Sequence, residues 1–190
     1  MERLVEIRWH GRGGQGAVTA AKFLAEAALA EGRYVQAFPE YGPERMGAPI
    51  QAFTRLSSDP IRIYCGIENP KVVVVLDPTL LDVIDVAQGL PKDGVLIVNT
   101  PEPPSKIEER LGLEKAKVYT VDASTIAHEE LGRPIPNTPM IGALIKATKV
   151  LDLGSTTEHF QEVFADKFSP KVIEGNVRAI RRAFEEVKSE

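Results

Sequence analysis

The residues best suited to chemistry lie in a glycine-rich turn near the N-terminus. The sequence Gly11-Arg12-Gly13-Gly14-Gln15-Gly16 fits the pattern G-x-G-x-x-G, with a predicted strand before it and an alanine-rich predicted helix after it. Glycines allow a sharp turn and close approach to a ligand, and free amides at the start of a helix favour phosphate. Arg12 adds a guanidinium that can bind two phosphate oxygens. The turn is predicted to bind an anion with more than one phosphate, although tight packing of helix on strand would also explain its glycines.

His10 precedes this turn directly. A single histidine is more often a hydrogen-bonded structural residue than a ligand contact. We therefore predict a structural role for His10.

The elements that must position the turn alternate between strand and helix. Continuous apolar runs such as KVVVVLD are typical of central parallel strands that are covered on both faces. Strands are predicted at 4–9, 34–38, 71–77, 94–99 and 117–123. Helices are predicted at 17–30, 79–88, 105–111, 124–131, 140–151 and 155–168, and from 170 onwards. Ser155 and Glu158 form a predicted capping box, and Ser169 is predicted to cap the last helix, with Pro170 at its first position.

One region departs from the alternation. Residues 39–49 contain three prolines and two glycines, which predicts an irregular loop. Residues 50–56 and 61–67 then predict an antiparallel hairpin. The sequence thus predicts a single domain over residues 1–190: an α/β, doubly wound, Rossmann-like and mostly parallel sheet with an inserted antiparallel hairpin and C-terminal helices. In such folds the glycine turn lies at the carboxyl edge of the sheet.

Composition excludes several classes of function. A net charge of -4 and a pI near 5.5 argue against general affinity for nucleic acid. The single cysteine, Cys65, cannot hold an iron–sulfur cluster or a structural zinc by itself, and we expect it to be a small core residue. No two histidines fall on one helical turn, so no metal site is predicted. The charged N-terminus and the short run VVVVLDP predict neither a signal peptide nor a membrane span, and hence a cytoplasmic protein.

Further candidate residues lie on the loops and at the sheet edge. Asn137 and Thr138 precede a helix, and one of them is expected to cap it, with ligand contact as the alternative. Arg45 is a candidate for a second phosphate contact, an intersubunit ion pair or a solvated charge. Tyr41 and Met46 give the proline-rich loop a stiff, amphipathic surface that is typical of protein interfaces. Asp77, before Pro78, is predicted to be a turn or cap residue at the same edge.

A nicotinamide cofactor would require an acidic residue at the end of the second strand. That strand ends in Phe38-Pro39, and Glu40 follows the proline, within the predicted loop. A dehydrogenase that binds NAD(P) is therefore the alternative hypothesis, and a nucleotide-sensing module is a third.

Five ordered segments resemble one known family over nearly the whole chain. They are GRGGQGAVTAA, FPEYGPERMGAPIQAF, CGIENPKVVVVLD, PNTPMIGAL and NVRAIRRAF. The chain resembles the gamma subunit of 2-oxoacid:ferredoxin oxidoreductases. Pyruvate is the expected substrate of the enzyme, and 2-oxoisovalerate, 2-oxoglutarate and indolepyruvate are the alternatives.

The resemblance implies oxidative decarboxylation of the 2-oxoacid on thiamine diphosphate, electron transfer through iron–sulfur clusters to ferredoxin, and release of an acyl-coenzyme A. With one cysteine and no GDG-type thiamine diphosphate motif, this chain is expected to leave that chemistry to alpha, beta and delta subunits and to contain no catalytic residue. Its own implied roles are assembly and placement of coenzyme A. The residues expected to contact coenzyme A are Gly11, Arg12, Gly13, Gly14, Gln15, Gly16, Arg45, Asn137 and Thr138, and those expected at the interface are Tyr41, Arg45 and Met46.

Overall fold

In the described part of the chain, seven strands form one sheet. They are β1 Leu4–Arg12, β2 Tyr34–Glu40, β3 Pro49–Ser57, β4 Val72–Val75, β5 Val95–Asn99, β6 Lys117–Val121 and β7 Lys188–Ser189. They lie in the order β2-β3-β1-β4-β5-β6-β7. The computed structural model describes residues 3–40, 47–113 and 115–189. Pairing is parallel from β1 through β4 and β5 to β6, whereas β3 and β7 run against their neighbours, so five of the seven strands share one direction. The predicted α/β, mostly parallel class is confirmed.

Helices and loops cover the two faces of this sheet. The helices are α1 Ala17–Ala30, α2 Pro104–Leu111, α3 Ala123–Leu131, α4 Asn137–Thr148, α5 Leu153–Phe164 and α6 Pro170–Glu186, with a short 3₁₀ helix at Pro78–Asp82. Val72 and Val74 of β4 pack into the core beneath α1, α4 and α6, whereas Val73 and Val75 pack on the opposite side with the 3₁₀ helix and α2. The strand is buried on both faces, as its continuous apolar run predicts.

The inserted antiparallel hairpin uses different strands from those predicted. β3 pairs antiparallel with β1 on one side and with β2 on the other, so β2 and β3 form the hairpin. Residues 61–67 were predicted as a strand, but they are irregular. Their carbonyl groups bond to side chains instead, because Gln36 donates to the Ile63 carbonyl and Arg55 donates to the Cys65 and Gly66 carbonyls.

The alternation in IRIYCGI therefore does not mark one buried face. Tyr64 is 91% exposed and Cys65 is also exposed, so the prediction of a core cysteine was wrong. Within this segment, Ile67 is buried.

The predicted helix at 79–88 is also absent beyond its first turn. The chain forms the 3₁₀ helix and then a series of turns. Two interactions explain the interruption: the Asp85 carboxylate accepts from the Ala87 amide, and the Arg8 guanidinium donates to the carbonyls of Val86 and Gln88. Those carbonyls are therefore engaged by a side chain rather than by a continuing helix.

Two predicted helix starts are too late. α5 begins at Leu153, and Asp152 caps it by accepting from the Ser155 amide, so the capping box at Ser155 was wrong. α4 begins at Asn137 after Pro136, without a side-chain cap, so neither Asn137 nor Thr138 caps it. Ser169 and Pro170 begin α6 as predicted, although the serine side chain makes no capping bond.

None of the described helices is long and apolar enough to cross a membrane. Nor do three His, Cys, Asp or Glu side chains in the described ranges lie close enough together to hold a metal ion.

Candidate functional site

The glycine turn connects the end of β1 to the start of α1. Gly14 and Gly16 have φ angles of 96° and 81°, a region that side chains disfavour, so both positions require glycine. β1 runs parallel to β4, with His10 opposite Val75. The turn therefore lies at the carboxyl edge of the sheet, as predicted.

The backbone amides of the turn fall into two groups. Three are engaged: Arg12 donates to Oε1 of Gln15 at 2.7 Å, Gly13 to the Ala48 carbonyl at 3.3 Å, and Gln15 to the Arg12 carbonyl at 3.1 Å. No described residue accepts from the amides of Gly14 and Gly16. The first amides of α1 also lack intrahelical partners, because the earliest bond there runs from Ala20 back to Gly16. The unengaged amides can bind an anion.

The Arg12 side chain is fixed by contacts with three residues outside the turn. Its Nη1 donates to the Gly47 carbonyl at 3.0 Å and its Nη2 to Oγ1 of Thr79 at 2.8 Å. Its Nε lies 3.2 Å from Oδ2 of Asp77, and the side chain remains 27% exposed. The structure thus places a partly exposed guanidinium at the turn.

Asp77 joins the turn to the end of β4. It accepts from Nε2 of Gln15 at 2.7 Å, and from the amide and hydroxyl of Thr79 at 2.9 and 2.7 Å. Burial raises the pKa of Asp77, but the hydrogen bonds from Thr79 and Gln15 and the charge of Arg12 outweigh burial and hold the pKa below its ordinary value. The carboxylate is therefore ionised at neutral pH.

The sequence predicted only part of this arrangement. Asp77 is a cap residue, as predicted, because it accepts from the Thr79 amide at the start of the 3₁₀ helix. Its ion pair with Arg12 and the contribution of Thr79 were missed. One signal in the sequence could have indicated these contacts: Asp77 ends a predicted buried strand at the carboxyl edge of the sheet, where a ligand is expected.

Asn137 lies against the turn. A Cβ atom added to Gly16 would lie 2.6 Å from Nδ2 of Asn137, so the glycine allows the first turn of α4 to approach. Asn137 and Thr138 both line a cavity of about 170 Å³, which also contacts Phe23 of α1 and Phe160 of α5. The structure thus brings Asn137 to the glycine turn. Of the other predicted site residues, Tyr41, Arg45 and Met46 lie outside the described residues.

His10 and Arg8 lie behind the turn. Nε of Arg8 donates to Nε2 of His10 at 3.0 Å, which leaves the proton of a neutral imidazole on Nδ1. Nδ1 is buried without a partner among the described residues. Burial, and then the positive charge of Arg8, lower the pKa of His10 to about 3. His10 is thus buried and hydrogen-bonded, which agrees with the structural role predicted for it.

The strand order argues against a nicotinamide site. In the dinucleotide-binding fold the acidic residue that holds the ribose follows the second strand, next to the first. Here β3 lies between β1 and β2, so Glu40 at the end of β2 is two strands away from the glycine turn. Glu40 instead lines a polar cavity of about 650 Å³ with Arg8 and Gln51.

Comparison with known proteins adds independent information. Residues 6–186 match the family model of pyruvate ferredoxin/flavodoxin oxidoreductase. Pyruvate synthase subunit PorC of Thermotoga maritima is 49% identical over 187 residues, which are 98% of this chain and 96% of that protein. The pyruvate/ketoisovalerate oxidoreductases common subunit gamma of Pyrococcus furiosus is 51% identical over 185 residues, 97% of this chain and 98% of that protein.

Solved structures give the same result. The crystal structure of pyruvate oxidoreductase subunit PORC from Thermotoga maritima superposes with a TM-score of 0.88 at 46% identity, covering 100% of this chain and 99% of that chain. A 2-oxoglutarate:ferredoxin oxidoreductase from Magnetococcus marinus, with 2-oxoglutarate, coenzyme A and succinyl-CoA bound, has a TM-score of 0.75 at 20% identity. The match spans 96% of this chain but only 31% of the Magnetococcus marinus chain. At 20% identity, the similarity shows the fold alone.

Proposed function

The chain belongs to the pyruvate ferredoxin/flavodoxin oxidoreductase family, as a subunit of the gamma type, and from this premise we propose that it places coenzyme A while partner subunits perform the chemistry. The enzyme that we propose oxidises pyruvate to acetyl-CoA and carbon dioxide and reduces ferredoxin. Another 2-oxoacid, such as 2-oxoisovalerate, is compatible with the same chain.

The observation that carries this proposal is a fixed cation in the same turn as unengaged amides. A guanidinium has five N–H groups, and the contacts of Arg12 with Asp77, Thr79 and Gly47 engage three of them. Two N–H groups therefore remain without an acceptor among the described residues, and the unengaged amides of Gly14 and Gly16 belong to the same turn as Arg12. Coenzyme A carries a diphosphate and a 3′-phosphate, so its charge and its hydrogen-bond acceptors suit this arrangement.

Neighbouring residues extend the proposed site. Asn137 is well placed for a further contact because it lies against Gly16, and Thr138 follows it in α4. Arg45 remains a proposed phosphate or intersubunit contact, and Tyr41 and Met46 remain proposed interface residues. The Magnetococcus marinus enzyme was solved with coenzyme A bound, which supports the choice of ligand without identifying its contacts here.

The division of labour rests on what this chain offers. One cysteine is too few for an iron–sulfur cluster, so we place the clusters and thiamine diphosphate in alpha, beta and delta subunits, with ferredoxin as the electron acceptor. The sheet is continuous from β2 to β7, which supports a single domain over residues 1–190. The cytoplasmic location and the absence of nucleic-acid and membrane partners stay predictions.

Replacement of Arg12 tests the proposed site. In the assembled complex, Arg12→Ala should raise the KM for coenzyme A by about 10- to 150-fold, the effect of losing a charged hydrogen bond worth about 1.5–3 kcal/mol. The KM for pyruvate should not change. Arg3→Ala is a suitable control because, among the described residues, the Arg3 side chain makes an exposed ion pair with Asp59, and the substitution keeps the Arg3 carbonyl that accepts from Ser57 and Ser58. An unchanged KM for coenzyme A in Arg12→Ala would remove the turn from the site.

The isolated chain tests the division of labour. Purified alone, it should show no visible iron–sulfur absorbance and no decarboxylation of pyruvate, and addition of the partner subunits should restore turnover. Activity of the chain by itself would refute the proposal.

A further inference from the structure

Thr79 connects Arg12 to Asp77 through its hydroxyl group. Oγ1 of Thr79 lies 2.7 Å from Oδ1 of Asp77 and 2.8 Å from Nη2 of Arg12. Since a carboxylate in an ion pair only accepts, the single hydroxyl proton must point to Asp77. The hydroxyl lone pairs are then free to accept from Arg12, and the direction of the whole chain of bonds is fixed.

Asp77 and Thr79 together restrict the guanidinium on one side. Asp77 contacts Nε at 3.2 Å and Thr79 contacts Nη2. Asp77 is also held in place, because Gln15 donates to it at 2.7 Å and accepts from the Arg12 amide at the same distance. Arg12 is thus bound through both its backbone and its side chain to a network at the end of β4.

We propose that Thr79 is a positioning residue for coenzyme A, which with Asp77 holds the Arg12 guanidinium so that its two uncommitted N–H groups meet the phosphates of the ligand. This inference rests on the proposed function. A long arginine side chain has many rotamers, and fixing one of them before binding reduces the entropic cost of binding. Thr79 itself contacts no phosphate in this scheme.

The hydroxyl group of Thr79 can be removed without disturbing the fold. Its side chain is exposed and belongs to neither hydrophobic cluster. The cap of the 3₁₀ helix uses the Thr79 amide, 2.9 Å from Oδ1 of Asp77, and this bond does not need the hydroxyl. Loss of the hydroxyl should therefore leave the local backbone intact.

Thr79→Val is the sharpest variant because it keeps the shape of the side chain and changes no charge. In the assembled complex we expect the KM for coenzyme A to rise about 3- to 10-fold, the entropic cost of immobilising one long side chain on binding, with kcat and the KM for pyruvate unchanged. The Kd for coenzyme A, measured by isothermal titration calorimetry without pyruvate, should rise by the same factor. Thr79→Ser keeps the hydroxyl and should restore both constants.

Asp77→Asn is a weaker test, because it frees Arg12 and also removes a negative charge that repels phosphate. A double-mutant comparison is better. If Thr79 acts through Arg12, then Thr79→Val should have no further effect on the Kd for coenzyme A in an Arg12→Ala background. An equal effect in both backgrounds would overturn the positioning role.

The outcomes separate the two proposals. If Arg12→Ala raises the KM for coenzyme A and Thr79→Val does not, the positioning role fails and the proposed site stands. If Arg12→Ala leaves the KM unchanged, the proposed site fails and the role of Thr79 fails with it. Should Thr79→Val not assemble, Thr79→Ala provides a second variant that also lacks the hydroxyl.

Discussion

The two faces of β1 differ although both are buried. Ile7 and Trp9 have no exposed surface and pack into the apolar core beneath α1 and α4. Arg8 and His10, which alternate with them, are only 5% and 1% exposed, yet they make polar contacts on the opposite face. Arg12 continues this polar series into the glycine turn. The strand thus combines an apolar face that stabilises the fold with a polar face that ends at the candidate site.

The covering of the two faces differs in the same way. Helices cover the apolar face, whereas irregular chain covers the polar face next to β1 and β3. Arg55, which is 1% exposed, pairs with Glu6 at 2.7 Å and donates to the carbonyls of Cys65 and Gly66. Arg8 likewise donates to the carbonyls of Val86 and Gln88, which follow the 3₁₀ helix. Buried guanidinium groups can hold irregular segments because they satisfy carbonyls that have no strand partner.

The largest effect is expected on the apolar face. Trp9→Ala removes a fully buried indole and its hydrogen bond to Oγ1 of Thr54, so the free energy of unfolding should fall by about 3–5 kcal/mol. Urea denaturation of the purified chain measures this change. Trp9→Phe retains most of the volume and should cost much less. A loss below about 1 kcal/mol for Trp9→Ala would contradict the importance of this face for stability.

The polar face should instead make stability depend on pH. The pKa of His10 is about 3 in the folded chain against an ordinary 6.5, so the unfolded chain takes up the proton first as the pH falls. The stability that neutral His10 contributes is therefore fully present above about pH 6.5, and it declines as the pH falls below this value. Between about pH 7 and pH 5, the free energy of unfolding should fall by about 2 kcal/mol on this account.

His10→Gln provides the test of this dependence. Glutamine can still accept from Arg8 but does not titrate, so the variant should show a much weaker decline over the same pH interval. The comparison uses the slope, which does not depend on the absolute stability of the variant. An equally steep decline in His10→Gln would show that other groups cause it.

The sequence predicted those features that depend on local pattern. The apolar runs of β4 and β5 placed the central strands, and the G-x-G-x-x-G pattern between a strand and a helix placed the turn at the carboxyl edge. The pairing of Arg12 with Thr79 could not be predicted in this way, because the two residues lie 67 positions apart. Their contact depends on β1 lying next to β4, which is a property of the strand order.

The hairpin error has a different physical cause. Alternation of apolar and polar residues at 61–67 is typical of a half-buried strand, but a strand also needs a backbone partner. Here the side chains of Gln36 and Arg55 bond to the carbonyls of this segment. A single pattern of hydrophobicity cannot show which kind of group will satisfy the backbone.

The smallest effect is expected in this segment. Cys65 is exposed, and its contribution to the polar face comes from its backbone carbonyl, which bonds to Arg55. Cys65→Ser keeps that carbonyl and should change the free energy of unfolding by less than about 0.5 kcal/mol. The thiol of the native chain should also react completely with a thiol reagent in the absence of denaturant. If the thiol reacted only after unfolding, Cys65 would be a buried residue, and the strand that the sequence predicts at 61–67 would be supported.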